Sequence, residues 1–341
     1  MKSRFLSLAE LLLICVLVMS ITVPFIVMPD ILYPEQVDSL YVRNQQIKFQ
    51  QGDSSDVEKN SVFLYNPGSL NLAYENIEAR ALDSAILKAW YIPSDNEQNF
   101  IVLVLHDLNE SRISCISLAK ALQSRNLDVC LMDLRAHGSS GGSEFSPGPM
   151  AVNDVRVIID KLFQEYYVEQ LAIMGIGTGA AIAVQTAVLD DRVSAIVLQS
   201  PFRALDKYVE RRYRGKWGIL NPVYSFITNK RLKKQLGYSP EKLNLRDICE
   251  YVFIPTLVIA GSNDTEIPYL ESQSVVQASG SDMKNFITIK DAKHDEIEEK
   301  GGATYYDAIS FFLHKAVPAE VERVRKKIAE NDKSGNNKQN Y

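Results

Sequence analysis

Leu171 to Ala181 reads LAIMGIGTGAA: an apolar run, a glycine-rich turn, then the small-residue opening of a helix. Two unlike chemistries use that strand–turn–helix shape. In one, glycines let backbone N–H groups approach the phosphates of a dinucleotide. In the other, the residue at the crest of a sharp turn carries a reactive side chain. The crest here is Gly177, between Gly175-Ile176 and Thr178-Gly179, and it has no side chain.

The surrounding pattern fixes the architecture. ILKAWYI, FIVLVLHD, DVCLMDL, QLAIMG, AIVLQSP, TLVIAG and FITIKDA read as strands. LAKALQSR, VNDVRVIIDKLFQEY, GAAIAVQTAVLD and TYYDAISFFLHKAV read as the helices between them. Short apolar β-branched runs alternating with helices predict an α/β fold, a mostly parallel sheet with helices on both faces. Residues 203 to 240 interrupt the alternation with an aromatic, basic and helical stretch, placed as a short helical cap between two strands.

The dinucleotide reading fails on its second requirement. Gly175, Gly177 and Ala180 give G-x-G-x-x-A, but the next strand ends at Ser200 instead of the acidic residue that would hold a ribose. The motif also follows three or more strands, whereas a dinucleotide fold places it after the first. The nucleophile-turn reading asks for an acid past a later strand and a histidine past the last one. Asp264 in LVIAGSNDTEIP and His294 in ITIKDAKHDEI meet both demands at carboxyl ends of parallel strands.

From about residue 70 to 317 the chain resembles the α/β-hydrolase superfamily, especially its serine-aminopeptidase-like and acyl-esterase-like members. The likeness rests on FIVLVLHD, on DLRAHGSSGG, on the G-x-x-D-x-x-x-P of Gly261 to Pro268, and on GYSPEKLNLRDICEYVFIPTLVIAG. It implies that Asp264 and His294 are retained triad positions and that Gly177 stands where the nucleophilic serine is lost. The backbone N–H groups of Leu108 and Thr178 become the oxyanion donors. A second departure is His106-Asp107 in place of a His-Gly turn, which sets a carboxylate where developing negative charge would be opposed. Thr178 is expected to point its β-branched side chain away from the site. Gly177→Ser is expected to restore some reactivity, and Asp107→Gly to add to it. The reading is a catalytically degenerate serine hydrolase used in binding or scaffolding. The alternative is an active hydrolase of acyl ester or peptide bonds with an unorthodox nucleophile or a water. His106 and His137 are expected to brace loops and His314 to pack. No His, Cys or carboxylate cluster has metal spacing, and no cofactor is expected.

The N-terminus carries a separate message. Between Phe5 and Met28 the only charge is Glu10, and LLLICVLVMSITVPFIVM is an uncharged run of 18 residues. That length spans a hydrocarbon core, and no small-x-small cleavage site follows it. Residues 1–30 therefore read as a single-pass transmembrane anchor. Lys2 and Arg4 lie before it and Asp30, Glu35 and Asp38 after it, which places the large domain outside the cytoplasm. Residues 31–65 read as a stalk or edge segment and 66–318 as the catalytic-type domain, with the cap at about 203–240. Residues 319–341 read as a charged helix and a disordered tail. With a net charge of −5, bulk electrostatics gives no reason for a nucleic-acid partner. The expected partners are the lipid bilayer and an acyl or peptide-like small molecule. The four cysteines, with no CxxC, read as buried free thiols. Ten basic residues from Arg203 to Lys234 face only Asp206 and Glu210, so the cap, Arg211, Arg212, Lys233 and Lys234 included, is a candidate for an anionic membrane surface.

Overall fold

The computed structural model describes residues 7, 10, 12–14, 16–18, 31–34, 64–95 and 99–336. Its strands are β1 (Glu75–Arg80), β2 (Ile86–Ile92), β3 (Phe100–Leu105), β4 (Asp128–Asp133), β5 (Gln170–Ile176), β6 (Val193–Gln199), β7 (Thr256–Gly261) and β8 (Lys284–Ile289). They form one 8-stranded sheet in the order β1-β2-β4-β3-β5-β6-β7-β8. The β1–β2 and β2–β4 pairs are antiparallel and every other pair is parallel. Every residue of β3, β4 and β7 is buried, which is why these strands read as continuous apolar runs without alternation. β1 buries only Ile77 fully, and ENIEAR accordingly gives no strand signal in the sequence.

The helices are α1 (Ile116–Gln123), α2 (Pro149–Glu165), α3 (Thr178–Leu189), α4 (Leu205–Trp217), α5 (Asn221–Leu236), α6 (Leu245–Cys249), α7 (Tyr269–Ala278) and α8 (Ile297–Asn336). One apolar cluster joins α2, α3 and the cap to one face of the sheet. A second, built on α1, Tyr305, Ile309 and Leu313, covers the other. α3 is buried from Thr178 to Thr186, so it needs no polar face, and its small residues bring it hard against the sheet. A Cβ on Gly179 would overlap the carbonyls of Leu105 and His106, and one on Gly175 would overlap the first turn of α3.

The cap is α4 and α5, inserted between β6 and β7. Its neck is closed by backbone: Leu245 N–H donates to Arg203 O (2.7 Å) and Leu205 N–H to Leu243 O (3.0 Å). The DLRAHGSSGG loop is held by its own charges. Asp133 accepts from the backbone of Arg112 and Ser139, and Arg135 pairs with Asp154 of α2 at 2.7 Å. Cys115, Cys130 and Cys249 are free and buried.

Two sequence expectations change. Ile31 and Leu32 do not begin a stalk: both are buried in the main core, and Leu32 O accepts from Phe145 N–H. Residues 35–63 lie outside the described residues. Helix α8 continues to Asn336, well into the stretch expected to be disordered. Most of the N-terminal apolar run lies outside the described residues, and among the described ones no helix is long and apolar enough to cross a membrane.

Candidate active site

The turn from β5 into α3 sets the geometry. Gly177 adopts φ 52° and ψ −110°, a strained left-handed crest that a residue with a Cβ reaches only at a cost. Beside it, β3 ends in His106-Asp107, and the Asp107 side chain turns into the space above the crest. A Cβ on Gly177 would overlap the Asp107 carboxyl group. The carboxylate therefore occupies the room that a side chain at the crest would need.

Both of its oxygens are engaged. Oδ1 accepts from the backbone N–H of Leu108 (2.7 Å), the backbone N–H of Thr178 (2.7 Å) and the Thr178 hydroxyl (3.0 Å). Those two N–H groups are the pair expected to serve an oxyanion. Oδ2 accepts from His294 Nε2 at 2.9 Å. On the far side of the ring, His294 Nδ1 donates to Asp264 Oδ2 at 2.7 Å. Asp264 Oδ2 also accepts from Ser200 Oγ, and Asp264 Oδ1 from the backbone N–H groups of Glu266 and Ile267. Asp264 is thus a turn former and the histidine's partner at once.

The protonation state follows. Carboxylates only accept, so a histidine bonded to one through each nitrogen carries both protons and is a cation. Burial opposes that charge, but the hydrogen bonds and charges of Asp107 and Asp264 raise the His294 pKa well above the usual imidazole range. Burial also opposes the charge on Asp107. His294 and the N–H donors nevertheless hold its carboxyl well below the usual carboxylate range. Asp107 is 7% exposed, and the His294 side chain 18%.

The structure brings Leu108, Gly177, Thr178, Asp264 and His294 together as the sequence reading grouped them. It corrects Thr178, whose hydroxyl points into the site and not away from it, because the Asp107 carboxylate offers it an acceptor. It also corrects the rescue expected from Gly177→Ser alone, because a serine there would collide with Asp107. His106 and His137 brace loops. His106 Nε2 accepts from Leu134 N–H at 3.0 Å, and burial pushes the two pKa values down to about 4 and about 3. His314 packs edge-on against Phe100. Two contributors escaped the sequence reading as site residues. Ser200 orients Asp264, and Glu110, half-buried next to Asp107, has its pKa pushed up to about 7 by burial and by that charge. Among the described residues no cluster could hold a metal ion.

Residues 96–242 match the Hydrolase_4 family, described as serine aminopeptidase, S33. Alpha/beta hydrolase domain-containing protein WAV2 of Arabidopsis thaliana is 24% identical over 265 residues, covering 74% of this chain and 82% of that one. In sequence and in fold the chain is similar to the α/β-hydrolase superfamily. An uncharacterized protein of Mycobacterium tuberculosis (strain H37Rv) is 29% identical over 244 residues, 71% of this chain and 79% of that one. Among solved structures, the Pyrococcus furiosus esterase Pf2001 superposes with a TM-score of 0.63 at 22% identity, covering 75% of this chain and 98% of that one. That likeness is one of fold. In this chain a carboxylate from the end of β3 is seated over the glycine crest.

Proposed function

We propose that this chain is a membrane-anchored α/β-hydrolase-fold protein that has lost serine catalysis and acts by binding or scaffolding. One observation carries the reading: Asp107 fills the place of the nucleophile and of the oxyanion together. A general base must be neutral to take a proton, and His294 is held as a cation between two carboxylates. The two donors that would stabilise an oxyanion are already spent on a permanent anion. Losing the nucleophile of a working triad costs about 10⁶-fold in rate, so the expected esterase activity is negligible. The test is labelling with a fluorophosphonate. The wild-type chain and Gly177→Ser should stay unlabelled, while Asp107→Gly/Gly177→Ser should label. Stoichiometric labelling of the wild type at a serine beside His294 sinks the proposal.

A second reading is favoured by the same cradle. A carboxylate with one oxygen on two N–H groups and the other facing a His–Asp pair is placed to attack carbon. On an alkyl electrophile, Asp107 Oδ2 would form the new C–O bond and the leaving group would depart as an anion. Asp107 would then be a neutral ester, and His294, relieved of that charge, would pass its Nε2 proton to the leaving-group anion. The neutral ring would then take a proton from a water that attacks the Asp107 carboxyl carbon, releasing the alcohol and restoring the carboxylate. One turnover in ¹⁸O-water would put the label into Asp107. Absence of any mass shift there, with epoxides and alkyl halides alike, dismisses this reading.

A further inference from the structure

We infer that the outer face of the cap rests on an anionic lipid bilayer, with helix α5 lying along the headgroup layer. This goes beyond the proposed loss of catalysis, and it rests on the proposed membrane anchor. α5 turns Tyr224, Ser225, Leu232 and Leu236 inward. Pro222, Val223, Phe226, Lys230, Lys233 and Lys234 are exposed, and at 100° per residue they share one arc of about 120°. The face is sorted along its length. Its first half is apolar, with Phe226 68% exposed and Ile219, just before the helix, 95% exposed. Its second half is lysine, and among the described residues none of those three lysines forms an ion pair. Arg211 and Arg212, which the sequence placed in the same patch, face the other way. They pair with Glu271 and Glu266 beside the acid loop.

The second observation is where the chain enters the domain. Ile31 and Leu32, three and four residues after the end of the apolar run at Met28, are buried against the domain. The Tyr33 hydroxyl donates to Glu144 Oε1 (2.9 Å), and Gln235 Nε2, from the last turn of α5, donates to Glu144 Oε2 (2.7 Å). One carboxylate therefore ties the exit of the run to the lysine end of α5. Tyr33 lies five residues past Met28, a span of at most about 18 Å, so a run buried in a bilayer holds the lysine end of α5 near its surface. There lysines meet anionic headgroups, and exposed aromatic and aliphatic tips enter the interface. An acidic protein would satisfy the lysines but would not account for their place beside the run.

The experiment uses the full chain in nanodiscs of zwitterionic lipid or of the same lipid doped with phosphatidylglycerol, followed by amide hydrogen exchange over residues 218–236. The expected result is protection that appears with the anionic lipid and disappears in about 0.5 M salt. Each lysine replaced in Lys230→Gln, Lys233→Gln and Lys234→Gln should weaken the effect about fivefold. Phe226→Ser should weaken it at low salt. Equal exchange in the two lipids, or protection unchanged in the triple variant, overturns the proposal. Failure of the anchor reading shows separately, as protein eluting apart from the discs. Sedimentation with phosphatidylglycerol vesicles then reads the face alone: pelleting lost in the triple variant supports it, and no pelleting overturns it.

Discussion

Asp107 makes contact with every group that a reacting ester would otherwise use: Leu108 N–H, Thr178 N–H and His294 Nε2. Its consequence is electrostatic and can be read on one ring. Because the His294 pKa is raised, its share of stability is full below the unfolded value near 6.5 and is lost as pH rises through the folded value. Because the Asp107 pKa is lowered, its share is full above an unfolded value near 3.9 and is lost as pH falls through the folded value. The two contributions are complete together between about pH 4 and 6.5. Nitrogen NMR of His294 should show both ring nitrogens protonated at pH 8. In Asp107→Asn the amide can donate to a neutral Nε2, so titration should move down toward the ordinary imidazole range. The stability gap between the two proteins should be widest inside that window and narrow as pH drops below it. A neutral His294 ring at pH 7 in the wild type contradicts the ion triad.

At the scale of elements, the end of β3 and the β5–α3 crest are complementary in shape. Space at Gly177 and bulk at Asp107 are two halves of one fit. Gly177→Ala should therefore cost at least about 3 kcal/mol, from a Cβ at a left-handed crest and from a displaced buried ion pair. In Asp107→Gly/Gly177→Ala the loss should fall short of the summed single losses by about 1–3 kcal/mol in denaturant melts. Strict additivity would mean that the two sites do not share the space. The crest, Asp264 and His294 were legible because each sits at a fixed place in the strand–helix alternation. The two departures at 107 and 177 were legible as well, but not as one event. Their joint geometry depends on β3 pairing with β5 in register, Leu105 opposite Gly175, across some seventy residues of chain. Thr178 was misjudged for the same reason, since its acceptor comes from another strand. β1 was missed because a strand burying only Ile77 fully has no periodicity to show.

Across the whole molecule, the charged cap divides its labour between an inner and an outer face. The inner face is a clasp. Arg211 Nε donates to Glu266 O (2.9 Å) and its Nη2 to Glu271 Oε2 (2.9 Å), while Arg212 pairs with Glu266. Glu266 and Ile267 in turn donate their N–H groups to Asp264. The cap is thereby fastened to the loop that orients His294, and Tyr208, stacked on Phe202 at 5.0 Å, seals the space between them. Composition alone reads all these arginines as one positive patch, because the glutamates that neutralise them lie more than fifty residues further along the chain. Arg211→Ala/Arg212→Ala should lower stability by about 1–3 kcal/mol, since these are multidentate pairs screened by only partial exposure. The loss should be local: amide exchange should quicken across α4 and residues 264–271, while β3, β5 and β6 keep the protection of the buried sheet. Fork geometry is the variable, so Arg211→Lys should recover less than half, a lysine lacking the fork that spans Glu266 O and Glu271. If exchange rises uniformly over the sheet instead, the cap is part of the cooperative core and the clasp has no separate role. If α4 exchanges no faster in the double alanine variant, the apolar contacts of Tyr208, Val209 and Tyr213 hold the cap without it.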